Sequence, residues 1–248
     1  MYRYSVRLFF LIIACMAFCS FPVFGEDEMF QDAAIGSEID FEGGLEPLYI
    51  SLGSICEPAK QLREKGLRKG AFPFDWMLSV NGDKLIEILE DDFTYFLDSR
   101  YLVPFVNNKV LLNTYYQLEF SHEGEWKKPY PYFQYTKLRA KYARRIERFR
   151  KIKKYKGPVY FFRQSWPLST HPNYAFSHIA NLEISEDYAR RLFYALQRYF
   201  PKVDIRLIVI NKNGGANHSR KYIDNAIVIL PYSVSSIEDI PGLFSDTQ

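Results

Sequence analysis

The residue that most invites chemistry is Cys56, in "ISLGSICEPAKQLREKG" (residues 50–66). A thiolate is a strong nucleophile, and an ordinary thiol titrates near ~8.5. A helix start lowers that value through its free N–H groups and partial positive charge. Here "PLYISLGS" reads as a strand and "CEPAKQLREKG" as a helix, so Cys56 falls at a strand-to-helix junction. Ser54 and Glu57 have the spacing of a capping box. A helix beginning at Pro58 is the alternative register. The competing reading is that Cys56 fills a small buried site, since free cysteine is among the most buried residue types.

A nucleophile of this kind needs a base, and the base needs a group to orient it. Four histidines are available: His122, His171, His178 and His218. His122 closes the strand-like run "YYQLEFSH" and is the best placed to be held rigidly. Asp75, in "PFDW", is the first candidate to orient it. It could instead hold its own loop by accepting backbone N–H bonds. Asn211 and Asp224 stand at later strand ends as alternatives.

The elements that must position these residues follow from periodicity. "YLVPFV" and "VLLNTYYQLEFSH" read as two strands, with Pro104 near an edge. "DKLIEILEDDF" reads as a helix. Residues 133–156 form a long helix with the stripe Tyr135, Leu138, Tyr142, Ile146, Phe149 and Ile152. "VYFFR", "DIRLIVIN" and "AIVIL" are apolar strand runs, and "SEDYARRLFYALQRYF" is a helix with acids in its first turn. Strands alternating with helices imply an α/β fold: a mostly parallel sheet with helices on both faces, in a single domain over residues 47–248. Such sheets bind ligands at the carboxyl ends of their strands. Cys56 and His122 both fall just past a strand.

The chain has 248 residues, 48% hydrophobic and 25% charged, which excludes a disordered class. Its opening "MYRYSVRLFFLIIACMAFCSFPVFG" has the form of a signal peptide cleaved after Gly25, with a retained anchor helix as the alternative. Cleavage removes Cys15 and Cys19 and leaves Cys56 alone, so no intramolecular disulfide can form. It also removes Arg3 and Arg7, taking the net charge from +3 to +1. The expectation is a secreted or periplasmic protein with no membrane span after cleavage. Residues 26–46 hold eight acidic and no basic residues and read as a flexible acidic lead-in. Residues 137–156 hold eleven Lys and Arg against Glu147 alone. Their complete apolar stripe argues for a solvated outer face, able to dock the acidic lead-in. No nucleic-acid partner is expected, because no groove-reading module accompanies them.

The stretch "SLGSICEPAKQLREKGLRKGAFPFDWMLS" resembles the opening signature of a family of bacterial and viral proteins described as papain-like cysteine peptidases. The signature residues are Ser51, Leu52, Gly53, Cys56, Leu62, Arg63, Leu67, Arg68, Pro73, Phe74, Asp75 and Trp76. "FSHEG", "YARRIERF" and "VYFFRQ" follow in the family's order, so the resemblance spans roughly residues 48–210. His122 is followed by Glu123 and Gly124 where the family carries Asp and Phe, which leaves the orienting acid open.

The resemblance implies a cysteine hydrolase: Cys56 attacks an acyl carbonyl to form a thioester, and His122 carries the proton. Peptide, isopeptide and ester substrates all fit, and no metal or organic cofactor is implied. The rival expectation is a non-catalytic binding domain on the same scaffold, with Cys56 structural.

Overall fold

The computed structural model describes residues 39–105, 110–123, 132–167, 174–213, 220–231 and 244. The signal-like segment, most of the acidic lead-in, His171 and His218 lie outside them. Eight strands and four α-helices are described in the order β1 (Leu48–Ser51), α1 (Glu57–Glu64), α2 (Gly82–Glu90), β2 (Leu102–Phe105), β3 (Val110–Asn113), β4 (Leu118–Phe120), α3 (Tyr132–Lys151), β5 (Val159–Gln164), α4 (Glu186–Tyr199), β6 (Ile205–Asn211), β7 (Lys221–Tyr222) and β8 (Ile227–Pro231).

The main sheet has the order β1-β5-β6-β8-β7. Its first four strands are parallel, and β7 adds an antiparallel edge. Parallel strands are buried on both faces, so they read as continuous apolar runs rather than alternating ones. That is why "VYFFRQ" and "IVILP" are buried along their whole length. The side chains still alternate between faces. Val159, Phe161, Leu207 and Val209 point into a core shared with α2, α3 and α4. Tyr160, Phe162, Ile208 and Ile210 point to the other face, where Leu62 of α1 packs.

The helices form for local reasons that the chain carries. Asn81 caps α2 by accepting from the N–H groups of Asp83 and Lys84, and Ser185 caps α4 by accepting from Tyr188 N–H. In α3 the stripe residues Leu138, Tyr142, Ile146 and Phe149 are buried, and Ile152 continues it into a 3-10 turn. Several of the helix's cations are engaged within the molecule. Lys141 pairs with Glu123 and Arg150 with Asp92, and Lys154, in the 3-10 turn that continues the helix, pairs with Glu42. The last pair joins the basic helix to the acidic lead-in. The described end of that lead-in is packed, with Ile39 buried and the Phe41 ring 6.5 Å from that of Tyr155.

The run expected as one strand from Val110 to His122 is broken. A turn at residues 114–117, with Gln117 left-handed at φ 56°, splits it into β3 and β4, which pair with β2 in a separate antiparallel sheet. That small sheet joins the main domain through Leu78, which bridges Glu119 of β4. Among the described residues no helix is long and apolar enough to cross a membrane.

Candidate active site

The chain leaves β1 through a left-handed turn, with Gly53 at φ 71° and Ser54 at φ 56°. Gly53 is required twice over. Its φ suits glycine, and a Cβ there would meet Ser79 Oγ at 2.8 Å and the Phe74 carbonyl oxygen at 3.0 Å. Ser54 carries a side chain in the same region, a conformation costing roughly 1–3 kcal/mol and found disproportionately at functional sites. The turn delivers Cys56 to the N-cap position of α1, with Pro58 in the first turn. The expected capping box does not form. Among the described residues no side chain caps the helix, and Ser54 Oγ is buried without a hydrogen-bond partner.

Arg163, at the end of β5, holds this turn from beneath. It is 1% exposed. Its Nη1 donates to the Leu52 carbonyl at 2.9 Å and to Ser79 Oγ at 2.8 Å, and its Nη2 to the Ser79 carbonyl. Ser79 N–H in turn donates to the Ser54 carbonyl at 3.0 Å. Burial pulls the Arg163 pKa down, but a guanidinium keeps its charge.

Cys56 is partly exposed. Burial pushes its thiol above the ordinary value. Its own backbone N–H, Lys60 and Arg63 pull the other way, while Glu57 adds to the rise. The helix start was expected to lower this pKa; desolvation wins instead. Of these influences burial is the largest, so the site opposes ionisation of the resting thiol.

His122 lies in a turn two residues past β4, with its ring edge-on to Trp76 at 6.4 Å. The guanidinium of Arg63 lies 5.0 Å from the Trp76 ring and that of Arg68 lies 5.5 Å from it. Arg63 therefore touches both sides of the site: it acts on the Cys56 charge and stacks on the ring that backs His122. A second link runs through Leu78, which packs near Ile55 and bridges Glu119.

Asp75 is spent on its own loop. Its Oδ2 accepts from Arg68 Nε at 3.0 Å and from Phe72 N–H at 2.9 Å, and the Arg68–Asp75 pair is buried. Burial raises its pKa, opposed by Arg68, the Phe72 N–H and Arg145. Asn211 uses both ends of its amide on Ile184, and Asp224 is exposed beside Arg190. His178 sits exposed in a 3-10 turn near the same rim.

The sequence reading missed a buried carboxylate on β4. Glu119 is 3% exposed on β4, bonded by Ser121 Oγ at 2.9 Å and Ala175 N–H at 3.4 Å. Burial raises its pKa. Tyr174, next along from Ala175 in the chain, has its own pKa raised by burial and then by the charges of Glu119 and Cys56. Glu119 lies between the apolar Leu118 and Phe120, so only its spacing from His122 could have drawn notice. Among the described residues no cluster of three or more His, Cys, Asp or Glu is set to hold a metal ion.

An α/β domain with a cysteine seated at the first turn after a parallel strand is the class these features define. The chain belongs to the family described as "Putative papain-like cysteine peptidase (DUF1796)", whose model matches residues 47–171, half of the chain. It is also similar to "Uncharacterized protein R408" of Acanthamoeba polyphaga mimivirus, with 45% identity over 49 residues. That stretch covers 20% of this chain and 22% of the relative's length. No solved structure matches. In this chain the Pro-Phe-Asp-Trp block packs into the fold: Phe74 is core, Asp75 pairs with Arg68, and the Trp76 ring lies edge-on to His122.

Proposed function

We propose that the protein is an exported cysteine hydrolase acting on peptide-type amide bonds, with isopeptide and ester bonds sharing the same acyl carbonyl. The carrying observation is the seat of Cys56: a part-exposed thiol at an uncapped helix start, reached through a strained left-handed turn. As Sγ attacks the carbonyl carbon, its proton passes to His122 and an S–C bond forms. Collapse breaks the bond to the leaving amine, which takes the proton from His122. Water then hydrolyses the thioester, releasing the carboxylic acid and restoring the thiol. Because burial opposes ionisation of the thiol, the proton moves during attack rather than before it. Export through the N-terminal segment belongs to the same proposal.

The test is acylation by p-nitrophenyl acetate, followed by intact mass and nitrophenol release. Cys56→Ala should abolish the acyl-enzyme, and His122→Ala should slow its formation at least ~10²-fold. Iodoacetamide labelling should climb with pH through and beyond ~8.5, without a plateau near 6. A native protein that is neither acylated nor alkylated at Cys56, and labels only in denaturant, would instead support the second reading. That reading is a binding domain with an inert cysteine, and the raised thiol pKa is the observation in its favour.

A further inference from the structure

Arg63 follows Cys56 by seven residues, near the end of α1. Cys56 already has helical φ and ψ, and its carbonyl accepts the Lys60 N–H at 3.0 Å, so both residues share one helical register. Seven residues make nearly two turns, which puts the two side chains on one face about 10 Å apart along the axis. Helical side chains tilt toward the N-terminus, and this brings the long Arg63 arm back toward the thiol. The Arg63 charge is felt there, drawing the Cys56 pKa down against burial. Exposed Lys60 lies between them on the same face. Glu57 and Glu64 fall on the neighbouring flank, where Glu57 accepts from Gln61 Nε2 at 2.9 Å and Glu64 lies 3.8 Å from Lys60. The outer end of Arg63 is also fixed. Its guanidinium sits over the Trp76 ring at 5.0 Å, and that ring is edge-on to His122 at 6.4 Å. Arg68 shares the Trp76 ring, but its charge is met by Asp75 in a buried pair. Arg63 is partly exposed. A guanidinium resting on an indole is pre-organised and bonds through its edge, where two parallel N–H groups fit a carboxylate.

We infer that Arg63 is a specificity-determining residue: with Lys60 it forms a subsite along α1 for a carboxylate carried by the acyl substrate, beside the carbonyl that Cys56 attacks. This rests on the cysteine-hydrolase reading of the same site. The chemistry at Sγ is unchanged. The subsite raises the local concentration of anionic acyl groups and fixes their position while the carbonyl meets the thiol.

Pairs of probes that differ chiefly in charge test this in the full chain, read at Cys56 by peptide mass. Iodoacetate and iodoacetamide alkylate the thiol with no acyl step. Mono-p-nitrophenyl glutarate and p-nitrophenyl butyrate acylate it and release p-nitrophenol. The ratio of the anionic to the neutral rate cancels any change in thiolate fraction. Arg63→Gln should lower that ratio at least about threefold for the iodo pair, the effect of one unit charge across several ångströms of water-like surroundings. For the esters, which lose a charge-assisted bond, it should fall about tenfold or more. Arg63→Lys should keep the iodo ratio and lose part of the ester ratio. The wild-type iodo ratio should exceed that of a free cysteine peptide. It should shrink between about 0.01 and 1 M salt, as the Debye length drops from about 30 to 3 Å. A wild-type ratio no higher than the peptide's overturns the inference even if no variant folds, and so do ratios left unchanged by Arg63→Gln. Esters that acylate Cys56 without a charge preference defeat the subsite alone. Esters that never acylate it, with the iodo ratio still falling, defeat the hydrolase reading and leave an anion subsite beside the thiol.

Discussion

Two regions of the molecule handle buried groups in opposite ways. Beneath α3, Phe149 is ringed by Phe72, Phe74, Phe93, Phe161, Tyr199 and Phe200, mostly edge-to-face at 5.1–6.5 Å. Charges near that core are matched, as Asp75 is by Arg68. At the rim where β1 and β5 end, the matching stops. Arg163 is buried on carbonyls and a hydroxyl, Glu119 on a hydroxyl and an N–H, with no opposite charge among the described residues. Among the described residues Ser54 Oγ and Gln164 Nε2 have no partner, and Ser54 is left-handed. The core is arranged for stability. The rim carries costs of the kind that cluster at functional sites.

The contrast can be broken most forcefully at Phe149. Phe149→Ala should cost about 3–5 kcal/mol in urea denaturation, because rigid rings from β5, α4 and two loops cannot close on the cavity. A loss below about 1 kcal/mol would mean that this core is not the stabilising region. Asp75→Asn should come next, at about 3 kcal/mol, since it leaves the buried Arg68 guanidinium without its carboxylate. This variant also sharpens the view of the site. If Asp75 orients His122 rather than its loop, acylation by p-nitrophenyl acetate will collapse while stability holds. The ion pair with Arg68 and the bond from Phe72 predict the reverse order of effects.

What could be read in advance was the part governed by local rules. Fully buried parallel strands appear as apolar runs, as in "VYFFRQ", and the α4 cap appears as Ser185 before two acids. Cys56 and the signature around it were equally visible. What could not be read depended on contacts distant in the chain. The thiol pKa turns on burial at the rim, and the left-handed Gln117 that splits β3 from β4 sits in a run whose alternation suits a continuous strand. Ser54 looked like a cap because its spacing to Glu57 is right, but the left-handed turn starts the helix two residues later. Glu119 and Gln164 were hidden for a shared reason: each is a polar residue in a strand whose apolar neighbours set the pattern.

Glu119 gives the smallest and most specific probe of the rim. Burial raises its carboxyl pKa in the folded state, ahead of the lowering by Ser121 and the Ala175 N–H. A group raised in this way helps the fold fully below its unfolded pKa of about 4.3. That help is lost as pH climbs through the folded pKa. Glu119→Gln keeps an oxygen for Ala175 N–H and an amide for Ser121 Oγ, but it cannot ionise. Relative to the variant, the wild type should therefore be most stable near pH 4 and lose ground toward pH 7, by less than the Asp75 effect. Paired urea melts at the two pH values measure this difference directly. A gap that stays constant, or widens in favour of the wild type at pH 7, would mean that Glu119 has found a cation. It would then belong with Asp75 among the matched charges, and the division between core and rim would move.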